Sequence, residues 1–240
     1  MLQIFKKELN SFLNSLIGYI VIGVFLTATG LFTWFFKDNV LDFGYADMSL
    51  FFQISPFIFL FLIPAITMRA FSEEVKSGTI ELLFTKPLSK WEIVLGKFFT
   101  SCFLIFLSLL PTLLYYYSVY QLGNPQGNID SAAVFSSYLG LFLLGCVFAA
   151  IGVLMSSFTD NQVTAFVLSF VVCLIFFYGI GQLSQLPFMG SFGYLFNQFG
   201  LDYQYNALGK GLIDSRNLIY FFSVIFLALW GTKLKISTLK

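Results

Sequence analysis

Nine charged side chains fall between Arg69 and Lys97: Arg69, Glu73, Glu74, Lys76, Glu81, Lys86, Lys90, Glu92 and Lys97. The 240-residue chain has only 13 basic and 12 acidic residues, so this stretch is where recognition by charge is concentrated. Mixed signs at close spacing suit contact with a complementary surface. The groups that catalysis needs are missing. Histidine, the commonest general base and metal ligand, is absent from the chain. Gly96-Lys97 lacks the upstream glycine and the following Ser or Thr of a phosphate-binding loop, so ATP is not bound by that route. No Ser–Lys pair inside an apolar run suggests a hydrolase. Cys102, Cys146 and Cys173 each sit in apolar sequence without metal-ligand spacing. The residues predict no catalytic group, no metal site and no cofactor bound by this chain.

The elements that must present these charges are legible from local signals. Ser72 ahead of Glu73 and Glu74 reads as an N-cap with acids in the first turn, where the helix dipole favours negative charge. Gly78 lets the chain bend, and Ile80, Leu83 and Phe84 recur at helical spacing as an apolar stripe. Pro87 cannot continue that helix. Ser89-Lys90-Trp91-Glu92 is a capping-box pattern that starts the next helix, which runs on into apolar sequence. The stretch is therefore expected to lay a short amphipathic helix across the end of a bundle.

Composition says what that bundle is. Hydrophobic residues make up 58% of the chain and charged ones 10%, against about 25% charged in soluble domains. Such a chain cannot cover a water-facing surface, and an all-α polytopic membrane protein is predicted. A net charge of +1 with no basic stripe argues against a nucleic-acid partner. Residues 1–15 form an amphipathic segment suited to the bilayer interface. Apolar runs at 16–36, 50–68, 98–120, 134–158, 163–183 and 217–232 predict six membrane-spanning helices, with 69–97 as the polar region between the second and third. The first run is too long for the core of a cleaved leader. The stretch 184–216 is interrupted by glycines and reads as short helices between spans. Placing both termini and 69–97 on one side puts 10 of the 13 cations there, so that side is expected to be cytoplasmic. The spans are nearly free of ionisable residues, whereas ion-coupled carriers usually need them. Energy is therefore expected from outside the membrane.

The run SEEVKSGTIELLFTKPLSKWEIVLGK resembles the cytoplasmic coupling region of ABC-2-type permeases, the membrane subunits of a class of ATP-driven transporters. GYADMSLFFQISPFIFLFLIPAITMRAF before it is similar to the gliding-motility-associated branch of that family, and GLIDSRNLIYFFS near the end is similar to the entry into the last span of these permeases. The resemblance implies an N-terminal elbow helix and a coupling helix that docks a separate ATPase. It implies Glu73, Glu74, Ser77, Gly78, Thr79, Ile80, Glu81, Leu82 and Leu83 as the coupling residues, with Ile80 and Leu83 entering a hydrophobic groove of the partner. Glu81 either meets a basic residue of the ATPase or pairs locally with Lys86. ATP and magnesium would belong to that partner, a cytoplasmic ABC ATPase subunit. A second membrane permease subunit, identical or related, would complete an inner-membrane complex of unknown substrate. Two other readings stay open on the residues alone: a stand-alone carrier, and a membrane scaffold that docks an ATPase without moving a substrate.

Overall fold

The computed structural model describes the chain apart from residues 38, 43, 45, 85–87, 188–191, 212 and 239–240, and apart from the side chains of 17 and 82–84. Among the described residues there is no strand, as the composition predicts. In hydrocarbon every backbone polar group must be satisfied within its own segment, which leaves long apolar runs only the helix.

The helices are α1 (Leu2–Leu13), α2 (Leu16–Trp34), α3 (Ser49–Thr67), α4 (Ser72–Lys76), α5 (Thr79–Phe84), α6 (Lys90–Leu109), α7 (Leu113–Leu122), α8 (Ser131–Ser156), α9 (Gln162–Leu174), α10 (Ile180–Ser184), α11 (Phe192–Asn197), α12 (Leu201–Leu208) and α13 (Ser215–Thr238). Five continuous helical stretches are long and apolar enough to cross a membrane: Ser49–Lys76, Lys90–Leu122, Ser131–Ser156, Gln162–Ser184 and Ser215–Thr238. Helices α1 and α2 meet at a bend of 68°, and counting them as one broken span brings the number to six. At Pro111 the second stretch tightens into a 3-10 turn, Leu110–Thr112, before α7 resumes.

Helix α8 is the hub. Within its most apolar window 78% is buried, against 22% for the Gln162–Ser184 stretch, so α8 lies inside the bundle and α9 on its outside. Helices α3, α6, α9, α12 and α13 all pack on α8. Its residues Leu141, Leu144, Val147, Phe148, Ala149, Ala150 and Val153 are completely buried. Small residues allow the close approach that substitutes, in lipid, for a hydrophobic drive between helices. The tightest point is Gly152, where a Cβ would lie 2.8 Å from the Cβ of Thr67 and collide with its hydroxyl.

Helix α3 breaks its own hydrogen-bond ladder at Pro56, which has no N–H to offer the carbonyl of Phe52. Tyr205 of α12 repairs it, donating its phenol to that carbonyl at 2.7 Å. Burial first, and then the nearby Asp202, pushes the Tyr205 phenol well above its ordinary range, so it stays protonated and able to donate. A helix from the glycine-interrupted stretch is thus fastened to the kink of a spanning helix.

Candidate functional site

The charged stretch forms a corner between α3 and α6. After Met68 the chain turns through residues 69–71 into α4, and a hydroxyl from a distant helix secures the turn. Ser156, the last residue of α8, accepts the backbone N–H groups of Phe71 at 2.9 Å and Ser72 at 3.1 Å. It donates in return to the carbonyl of Met68 at 3.0 Å. One donor and two acceptor lone pairs are thereby all used. This corrects the expected role of Ser72. The N-cap is Phe71, and the Ser72 hydroxyl points back to the Met68 carbonyl instead of capping α4. Ser156 meets the orphan N–H groups of the first turn in its place. Glu73 and Glu74 do occupy that first turn.

Helix α4 ends at Lys76 with Ser77 as its C-cap, and Gly78 follows with φ +70, the left-handed conformation that turns the chain into α5. The space where a Gly78 side chain would lie is open, so backbone conformation and not crowding requires glycine there. The Ser77 hydroxyl bonds the Glu73 carbonyl at 2.8 Å and lies 2.8 Å from the Thr79 hydroxyl, closing the turn. On the far side of the corner, Ser89 and Glu92 form the reciprocal capping box that the sequence suggests: the Ser89 N–H meets Glu92 Oε2 at 2.9 Å and the Glu92 N–H meets Ser89 Oγ at 3.3 Å.

A buried ion cluster ties this corner to α1. Lys97 of α6 is 3% exposed, and its Nζ lies 3.0 Å from both Glu8 of α1 and Glu74 of α4. The same ammonium stands 5.0 Å from the centre of the Phe71 ring. Lys7 adds pairs to Glu74 at 3.4 Å and to Glu8 at 3.7 Å. Two carboxylates thus face one buried amine, the arrangement that offsets the cost of taking ionic groups out of water. One side chain therefore joins the N-terminal helix, the corner helix and the entry of the next spanning stretch.

The nine predicted coupling residues separate into three groups. Glu73, Ser77, Gly78, Thr79 and Glu81 are exposed and form a polar outer face. Glu81 has no ion partner among the described residues, and Lys86 lies outside them. Glu74 is half-buried in the ion cluster, and Ile80, 7% exposed, joins the main hydrophobic core instead of offering itself outward. The backbone of Leu82 and Leu83 belongs to α5, while their side chains lie outside the described residues, as does any contact they make. Sequence reasoning missed Glu8, Lys97 and Ser156 as members of this site. A lysine four residues before Ser101-Cys102-Phe103 gives no clue to its partners, and only its place at the edge of apolar sequence marks it out.

The architecture is that of a polytopic α-helical membrane protein with a polar corner held against an amphipathic N-terminal helix. A family model described as ABC-2 family transporter protein matches residues 2–197, which takes in α1 through α11 and the whole corner. The chain belongs to that family, whose members are membrane components of ABC transporters working with an ABC ATPase subunit. Comparison with curated proteins gives no match.

Proposed function

We propose that this chain is a non-catalytic permease subunit whose corner, Ser72–Phe84, docks a separate cytoplasmic ATPase and passes its movement into the bundle. The carrying observation is that the exposed face of Glu73, Ser77, Thr79 and Glu81 rests on two buried joints, Ser156 and Lys97, leading to different helices. A push on that face is delivered to α8 through the first and to α1 and α6 through the second. In this reading the corner and both termini are cytoplasmic, the bilayer is a bacterial inner membrane, and a second permease subunit, identical or related, completes the complex. ATP and magnesium act on the partner. The likeness of the 44–71 run to gliding-motility permeases supports export serving gliding motility.

The test is capture of the ATPase. Tagged protein purified in detergent from its native host should bring down an ABC ATPase and a membrane partner, identified by mass spectrometry. Glu81→Arg should lose the ATPase and keep the membrane partner. Wild-type protein that emerges with no ATPase would defeat the docking assignment.

A further inference from the structure

A cavity of about 330 Å³ opens beside the corner, between α1, α3, α4 and α6. Its volume lies at the small end of ligand pockets, about 300–1,000 Å³. Two of its features call for a ligand. Arg69 lines it, has no ion pair or hydrogen bond among the described residues, and its Nε is buried with no acceptor. On the same wall are Glu73, also unpaired, and Glu74, whose Oε2 is buried with no donor. Buried polar atoms without partners are costly and uncommon in folded proteins. The wall's charge balances: Lys7, Arg69 and Lys97 face Glu8, Glu73 and Glu74. The deeper lining is apolar, with Phe12 of α1, Ile66 of α3 and Leu104 of α6.

We infer that this cavity holds the headgroup of a phosphatidylethanolamine lipid. A simple anion would meet three carboxylates, and a simple cation three basic groups. A zwitterion of zero net charge fits the balanced wall. Its phosphate accepts from the Arg69 guanidinium, which is shaped for two-point contact with such an oxyanion. Its primary ammonium has three N–H donors for the Glu73 and Glu74 carboxylates. Its acyl chains leave along Phe12, Ile66 and Leu104, where an amphipathic helix meets spanning helices. The lipid would act as a wedge holding α1 to the corner, and this inference does not depend on the ATPase assignment.

The experiment is thermal unfolding of the purified chain in detergent, with native mass spectrometry to count bound lipid. Phosphatidylethanolamine, phosphatidylcholine and phosphatidylglycerol of one acyl composition are added separately, beside soluble glycerophosphoethanolamine. Phosphatidylethanolamine at a hundredfold excess over its Kd should raise Tm by about 5–10 °C and add one lipid per chain. The other two lipids should add far less, because one lacks N–H donors and the other lacks the cation. Arg69→Gln should abolish the shift; Arg69 makes no internal bond, so folding should survive its loss. Glu73→Gln, at an exposed position, should weaken the shift as a second variant. An equal rise with phosphatidylglycerol would reduce the site to an anion pocket, and an equal rise with phosphatidylcholine would remove the ammonium contact. A rise as large with the soluble headgroup would overturn the lipid assignment. So would no selectivity in wild type, or an undiminished shift in Arg69→Gln.

Discussion

Replacing Ser156 by alanine removes one oxygen and leaves two backbone donors stranded. The N–H groups of Phe71 and Ser72 then face a methyl group, in a position from which water is excluded because Ser156, Phe71 and Ser72 are all fully buried. Each buried donor without an acceptor costs about 1–3 kcal/mol, so the pair should lower stability by about 2–6 kcal/mol. An ordinary interhelical side-chain bond in a bilayer is worth about 0.6 kcal/mol, so the two cases are separable by measurement. The control is Ser169→Ala. That residue is also fully buried, but its hydroxyl only supplements the Ala165 carbonyl within its own helix at 2.7 Å, and its loss should cost about 0–1 kcal/mol. Equilibrium unfolding of both variants in one detergent reads the difference directly. The Ser156 variant should also bind the ATPase with its α4–α5 face intact yet respond less to it. A Ser156→Ala loss no larger than that of Ser169→Ala would refute the joint.

Four further outcomes follow from single contacts. Lys97→Met should destabilise the protein by about 3–5 kcal/mol by leaving two carboxylates uncompensated. Adding Glu8→Gln and Glu74→Gln should restore most of that loss, and unfolding midpoints of the single and triple variants decide it. Gly78→Asn, which tolerates positive φ, should retain ATPase in a pull-down, whereas Gly78→Val carries about 1–2 kcal/mol of backbone strain and should release it; equal retention would exclude a conformational role. Tyr205→Phe should cost about 1–3 kcal/mol by orphaning the Phe52 carbonyl. Pro56→Ala in the same chain returns the missing N–H, so the double variant should unfold later than Tyr205→Phe alone. Gly152→Ala should lose about 1–3 kcal/mol to overpacking against Thr67, relieved by Thr67→Ala, again by unfolding midpoint.

The fold class was legible because composition and run length decide it locally: no arrangement of 33 phenylalanines and so few charges makes a water-soluble surface. The Ser89–Glu92 capping box was legible for the same reason, since both partners lie within one turn. The Ser72 cap was misread because the group that satisfies the start of α4 comes from 84 and 85 residues away, and no local pattern records it. Lys97 and Glu8 are 89 residues apart, so their pairing depends on how α1 folds back over α6. The stripe around Ile80 was visible, but periodicity identifies a face without saying whether it turns toward the protein or a partner. Tyr205 stands in a mostly uncharged, glycine-interrupted stretch, where a phenol that completes another helix's ladder looks like any other aromatic residue.

The two ends of α3 share a logic that accounts for where the joints lie. A spanning helix that satisfies its own backbone needs nothing polar from its neighbours, and it can shift without their registering it. Two of the places where helix α3 fails to do so, beside Pro64, are Pro56, which frees the Phe52 carbonyl, and its end, where the turn into α4 exposes the N–H groups of Phe71 and Ser72. At these two another helix supplies a hydroxyl, Tyr205 from α12 in one case and Ser156 from α8 in the other. These two irregularities in the ladder are thus points at which α3 is fastened to the rest of the bundle. Apolar contacts such as those of Ile80 transmit a push, but they are non-directional and resist sliding of one helix past another less than hydrogen bonds do. Directional bonds at the breaks resist sliding. A helix with an interrupted ladder is therefore better suited to carry displacement from the corner than a perfect one, and substitutions that repair α3 should weaken that transmission even where they raise stability.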